Sequence, residues 1–278
     1  MRTNRALSLR SISCRPFTPC HGGSSSVPTL SNPSLETFRQ EAFQPAQPVL
    51  FPEFTFRHLP AIEKWFKRPE DGSIVLNRPY LSAFGTTSVP LEITAGEKFA
   101  RVENQSLSLF LEASSFASST RIYLAQAPIA DLPPPLQLDI PTPEVVLKAG
   151  KGDVYSSSIW LGQAPTYTPL HCDPNPNLFV QLAGRKIMRL YEPDVGQEIF
   201  ASVQDKISRS YGGNLRLEEM MSGEERRLLE DAIWGETAVK GWETELSSAD
   251  GLFIPKGWWH SIKGVGKGMI GSVNWWFR

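Results

Sequence analysis

Two of the four histidines in this chain, His171 and His260, stand where their surroundings suit chemistry, and Asp173 follows His171 after a single intervening residue. On an extended strand, residues i and i+2 leave the same face, so this imidazole and carboxylate would project side by side. Such a pair supplies two ligands to a divalent metal. His260, 89 residues later in the run FIPKGWWHSIKG, can supply a third. Two histidines and one carboxylate on one face of an octahedron leave three positions open, the arrangement of non-haem Fe(II) sites. The HxD spacing alone is weak, and by itself it reads rather as a hydrogen-bonded barrel histidine and an aspartate forming the turn ahead of Pro174. His21 falls in an N-terminal leader, and His58 has no ligand spacing around it.

Three more residues bear on the choice. Lys186 lies fifteen residues after His171, far enough for the chain to turn and return on a neighbouring strand. An ammonium pointing inward there would need an anionic partner. Thr168, three residues before His171, and Tyr123, in RIYLAQ, could donate hydroxyls to the same anion. A dicarboxylate would satisfy the set, with one end on the metal and the other on the lysine, threonine and tyrosine. Singly, Lys186 reads as a surface lysine and Tyr123 as a core tyrosine. Cys172, between the two ligands, should face the other way by strand alternation.

The elements that must position these residues read mostly as strands. YSSSIWLG, NLFVQLAG, KIMRLYEP, GLFIPKG and GSVNWWFR are rich in β-branched and aromatic residues, and Gly or Pro closes most of them. Upstream, QPVLF, RIYLAQ and EVVLKAG are short apolar runs broken by prolines and also read as strands and turns. Two segments read as helices. SLETFRQEAF has Ser34 as N-cap, and ERRLLEDAIW follows a capping box of Ser222 and Glu225. The expected fold is therefore an all-β core, a barrel or double-sheet jelly roll, with flanking helices and a helical insertion between residues 194 and 248. No GxxxxGK[ST] run and no GxSxG elbow is present, which removes P-loop and α/β-hydrolase chemistries.

Composition bounds the rest. The chain has 278 residues, 41% of them hydrophobic, with a net charge of -1, so it can build one large core and is not a nucleic-acid binder held by bulk charge. No stretch approaches the roughly 20 apolar residues that span a membrane. Three cysteines make no disulfide framework, which points to a reducing compartment. Residues 1–34 are rich in Arg and Ser and lack Asp and Glu. They read either as a mitochondrial transit-like segment or as an addressless tail of a cytoplasmic or nuclear protein. The expected organisation is a leader over 1–34 and one domain over 35–278, with an N-terminal flank at 35–150 and a catalytic barrel at 151–278.

HCDPNPN with a lysine fifteen residues after its histidine, the later FIPKGWWHSIKG and the closing SVNWWF resemble the JmjC-domain family of Fe(II)- and 2-oxoglutarate-dependent oxygenases. The resemblance runs from about Leu35 onward and is closest to the compact members that hydroxylate protein side chains. It implies a double-stranded β-helix of the cupin type, Fe(II) on His171, Asp173 and His260, and 2-oxoglutarate and O2 as cosubstrates. It also implies that Tyr123, Thr168, Asn177, Lys186 and Asn274 surround 2-oxoglutarate, and that Gln126 and Trp160 lie toward the substrate. The implied reaction releases succinate and CO2 while hydroxylating a C–H bond of a protein or peptide. N-methyl-lysine demethylation and small-molecule oxidation are alternatives using the same iron. A metal cupin that is no oxygenase and a silent scaffold are alternatives of another class. Because the chain ends straight after the closing strand, a monomer is expected.

Overall fold

The computed structural model describes residues 25–96, 98–114, 120–211 and 223–278. Its centre is a barrel of eight strands, β1 (Val154–Gln163), β2 (Thr166–Cys172), β3 (Asn177–Ala183), β4 (Arg185–Tyr191), β5 (Trp242–Leu246), β6 (Gly251–Ile254), β7 (Trp259–Val265) and β8 (Met269–Phe277). They lie in two antiparallel sheets, ordered β6-β3-β8-β1 and β5-β4-β7-β2, and successive strands change sheet except at β4 and β5, which pair with each other. This is the jelly roll expected from the sequence. Strand Val49–Leu50 extends the first sheet beside β6, and Thr120–Pro128, Ser88–Ala95 and Lys98–Ser106 extend it beyond β1.

The period-two alternation of these strands sorts side chains into three cores. On β8, Val273, Trp275 and Phe277 face outward and pack with Phe38, Phe51 and Phe253 beneath the N-terminal flank. Phe38 meets Phe253 edge-on at 4.9 Å between ring centroids. Inside the barrel, Phe179, Met188, Leu190, Leu246, Leu252, Ile254 and Ile262 form a second cluster. On the outer face of the other sheet, Leu170, Tyr191 and Trp259 pack against two helices, α1 (Pro193–Tyr211) and α2 (Gly223–Trp234). Each sheet is thus covered on both faces, which explains why its strands read as nearly continuous apolar runs.

Several local expectations are corrected. EVVLKAG is a helix over Glu144–Lys148, not a strand. Val145, Val146 and Ala149 are buried while Leu147 is exposed, and Pro143 presets the first turn. The insertion holds two long helices among the described residues where one was expected. The missed helix, α1, buries Ile199, Val203 and Ile207, a four-residue period visible in the sequence. Ser34 caps its helix as expected, accepting from the Thr37 amide at 3.2 Å, but the run continues from Arg39 to Phe43 as a π-turn. Ser222 of the expected capping box lies outside the described residues; Glu225 accepts from Gln204 of α1 at 2.8 Å.

The leader also differs from expectation. Residues 1–24 are outside the described part, but Ser25–Ser26 pairs in parallel with β5, and Val27 and Leu30 are buried. Among the described residues packing therefore extends back to Ser25, because Val27 joins the cluster inside the barrel and Leu30 the cluster beneath the flank. No helix among the described residues is long and apolar enough to cross a membrane.

The flank is pinned by Asp139, whose fully buried carboxylate accepts from Lys64 at 2.7 Å, Trp65 Nε1 at 2.8 Å and Tyr80 at 2.6 Å. Asp139→Ala strands these donors. The expected outcome is a loss of about 3 kcal/mol, read as a lower urea midpoint at unchanged slope.

Candidate metal centre

Cross-strand register builds the centre. His171 on β2 stands directly opposite His260 on β7, and the two rings are 4.2 Å apart between centroids. Asp173, just past the end of β2, brings its Oδ2 to 3.7 Å from His260 Nε2. One donor atom from each of His171, Asp173 and His260 lies within 4.8 Å of the others. The Nδ1 of His171 faces the Pro169 carbonyl at 2.8 Å, and that of His260 faces the Trp258 carbonyl at 3.3 Å. A proton held on each Nδ1 leaves both Nε2 lone pairs free for a metal.

The electrostatics fit that use. Burial, with the neighbouring His171, pushes His260 down to about 4, so its imidazole is neutral at physiological pH. Burial alone would raise the Asp173 carboxyl, but His260 and His171, with hydrogen bonds from Trp276 and Asn177, hold it below the usual carboxylate range. Neutral imidazoles and an ionised carboxylate are the forms that bind a divalent cation. Asp173 is further oriented by a chain of amides, in which Asn274 donates to Asn177 at 3.0 Å and Asn177 donates to Asp173 at 2.8 Å.

Along the barrel from the ligands, Lys186 points inward and is 3% exposed. Its Nζ donates to Ser272 Oγ at 2.8 Å and lies 5.1 Å from the Phe179 ring, and no carboxylate among the described residues pairs with it. Burial alone lowers it to about 7. Ser272 was missed, although it precedes Asn274 by two residues and so shares its face.

Thr168 is three residues from His171, so strict alternation would turn it away. The register shows otherwise, since His171 and Thr168 oppose His260 and Ile262, three residues spanning two. A bulge at Pro169 and Leu170 absorbs the extra residue and returns Thr168 to the ligand face. Tyr123 opposes Gly162 of β1, and a side chain at 162 would stand 2.2 Å from the tyrosine ring, so only glycine lets the ring lie there. Burial, assisted by Glu92 on the adjacent strand, raises the Tyr123 phenol and keeps it a hydroxyl donor. Glu92 was not anticipated, and nothing in its local sequence marks it.

Trp160 lies 6.1 Å from Tyr123 between centroids, and its buried Nε1 has no hydrogen-bond partner among the described residues. Trp276 opposes Asn177 and bonds Asp173, whereas Trp259 and Trp275 belong to outer cores. Gln126 is exposed, with φ +56°, in the bulge facing Trp160. Cys172 is exposed and is no member of the ligand cluster, as alternation required.

A jelly roll carrying two histidines and one carboxylate on facing strands defines a mononuclear metal cupin. Residues 34–278 match the cupin-like domain family, and the chain belongs to it. It is similar to "Lysine-specific demethylase JMJ30" of Arabidopsis thaliana, 28% identical over 98% of this chain and 58% of the relative. It is also similar to "Jumonji C domain-containing protein 5" of Drosophila melanogaster, 26% identical over 91% of this chain and 60% of the relative. "Lysine-specific demethylase 8" of Xenopus tropicalis is 26% identical over 94% of this chain and 55% of that protein. The chain thus spans somewhat more than half the length of these relatives. Within the family it falls in the JmjC group, whose members use Fe(II) and 2-oxoglutarate.

Asn177→Ala frees the Asp173 carboxylate without touching a ligand. Mn(II) affinity by calorimetry is expected to fall about 10- to 100-fold, while Asp173→Ala abolishes binding.

Proposed function

We propose that this chain is an Fe(II)- and 2-oxoglutarate-dependent oxygenase that hydroxylates a side chain of a protein substrate. The observation that carries the reading is the pairing of the His171, Asp173 and His260 cluster with an inward, buried Lys186 that has no counter-ion among the described residues. A buried ammonium without an anion is costly, and a dicarboxylate reaching from the metal would supply one.

In this reading His171, Asp173 and His260 hold iron. Bound there with its cosubstrate, Fe(II) supplies the oxidising chemistry by which 2-oxoglutarate and O2 become succinate and CO2 and one oxygen atom enters a substrate C–H bond. Lys186 receives the distal carboxylate, helped by the hydroxyls of Thr168, Tyr123 and Ser272. Asn177 and Asn274 lie along the ligand side and keep Asp173 aimed. Trp160 and Gln126 border the substrate, the indole wall excluding water and the exposed amide offering a polar contact. The demethylase alternative rests on the names of the Arabidopsis thaliana and Xenopus tropicalis relatives and uses the same iron and cosubstrate, applied to an N-methyl carbon.

Succinate formation from 2-oxoglutarate with Fe(II) and O2 is expected for the native chain and is lost in His171→Ala. Turnover with Zn(II) and none with iron and 2-oxoglutarate would reject the reading. On candidate peptides, a product heavier by one oxygen supports hydroxylation, and loss of a methylene supports demethylation.

The lysine gives a pH signature. The distal carboxylate pairs only with the ammonium, so below about 7 the site is already charged and affinity is flat. Above that value each molecule bound must bring a proton to Lys186, and affinity for 2-oxoglutarate is expected to fall about tenfold per pH unit. Calorimetry with Mn(II) in buffers of different ionisation enthalpy measures the proton uptake. Lys186→Met should remove both the slope and roughly 10- to 100-fold of the affinity.

A further inference from the structure

The carbonyls of the bulge that turns Thr168 toward the ligands are met by side chains. Pro169 contributes no amide hydrogen, so the β2–β7 ladder breaks there. The Pro169 carbonyl faces His171 Nδ1. The Thr168 carbonyl accepts from the hydroxyl of Ser261 at 2.9 Å. Ser261 lies at the register shift, between the ligand His260 and Ile262, and is completely buried on the outer face of β7. Its oxygen in turn accepts from Trp234 Nε1, at the end of α2, at 2.9 Å. Arg189 and Lys263 also lie over the Trp234 ring, at 4.5 Å and 5.1 Å from its centroid.

From this geometry we infer that Ser261 and Trp234 are positioning residues for the cosubstrate site. The insertion helix α2 sets, through Trp234, Ser261 and the Thr168 carbonyl, the bulge that aims the Thr168 hydroxyl into the barrel. Neither residue reaches the interior, so neither is a catalytic residue. The inference rests on the proposed reading that Thr168 binds 2-oxoglutarate, and it assigns the insertion a role beyond covering the sheet. A hydroxyl at 261 has one proton to give and lone pairs to receive, so it can serve Thr168 and Trp234 together, and threonine can replace it whereas alanine cannot.

The test measures 2-oxoglutarate and Mn(II) affinities separately by calorimetry on the full chain. Ser261→Ala and Trp234→Phe are each expected to weaken 2-oxoglutarate about tenfold and leave Mn(II) within twofold, with Ser261→Thr restoring the native value. Thr168→Ala should weaken it to a similar degree, and the Thr168→Ala/Ser261→Ala double variant no further. A general packing defect would instead lower both affinities or add in full to Thr168→Ala, and either result overturns the inference. Weakened binding in Thr168→Ala with native binding in Ser261→Ala overturns the relay alone. Native binding in Thr168→Ala removes the reading of Thr168 on which the relay stands.

Discussion

The pairing of β2 with β7 is the constraint on which the rest of the structure depends. Backbone hydrogen bonds between these strands put His171 and His260 face to face. Strand pairing is insensitive to side-chain identity, but a slip of one residue would send either imidazole out of the barrel. Register is held by burial on both faces, with Ile262 inside and Leu170 and Trp259 under the insertion helices. The helices are therefore part of what fixes the ligands. Without an apolar cover outside, β2 and β7 would have no strong reason to prefer one alternation over the other.

The interior that this pairing creates is divided in polarity. Leucines and isoleucines of β5, β6 and β7 fill one part, while Asn177, Lys186, Ser272, Asn274 and the metal ligands line another. Lys186 bears the largest penalty, since moving an ammonium from 10.5 to about 7 corresponds to roughly 5 kcal/mol. A fold keeps such a group when a bound anion offsets the cost. The amide chain from Asn274 through Asn177 to Asp173 follows a similar logic, because buried polar groups are tolerated when each is satisfied by the next.

How much of this was legible can be argued residue by residue. His171, Asp173 and His260 were readable because few histidines exist and because Lys186, Thr168 and Tyr123 nearby favoured a metal site over a turn-forming aspartate. The barrel strands were readable from β-branched and aromatic runs ending at Gly and Pro. EVVLKAG was misread because β-branched residues also suit a short helix when its face is buried and a proline starts it. Helix α1 went unseen although its period was present, and Val27 and Leu30 were assigned to the Arg- and Ser-rich leader.

The sequence by itself determined the chemical inventory: which side chains can bind a metal, which cation needs an anion, and which segments alternate as strands. Only the tertiary structure decided how they meet. Thr168 joins the ligand face through a bulge that alternation does not foresee, Ser272 and Glu92 acquire their neighbours across strands, and Ser261 meets Trp234 from a helix 27 positions away. The physical reason is that side-chain type and spacing along a strand are local quantities. Register shifts and cross-strand partners are properties of pairs of segments, fixed only when distant apolar faces are buried together.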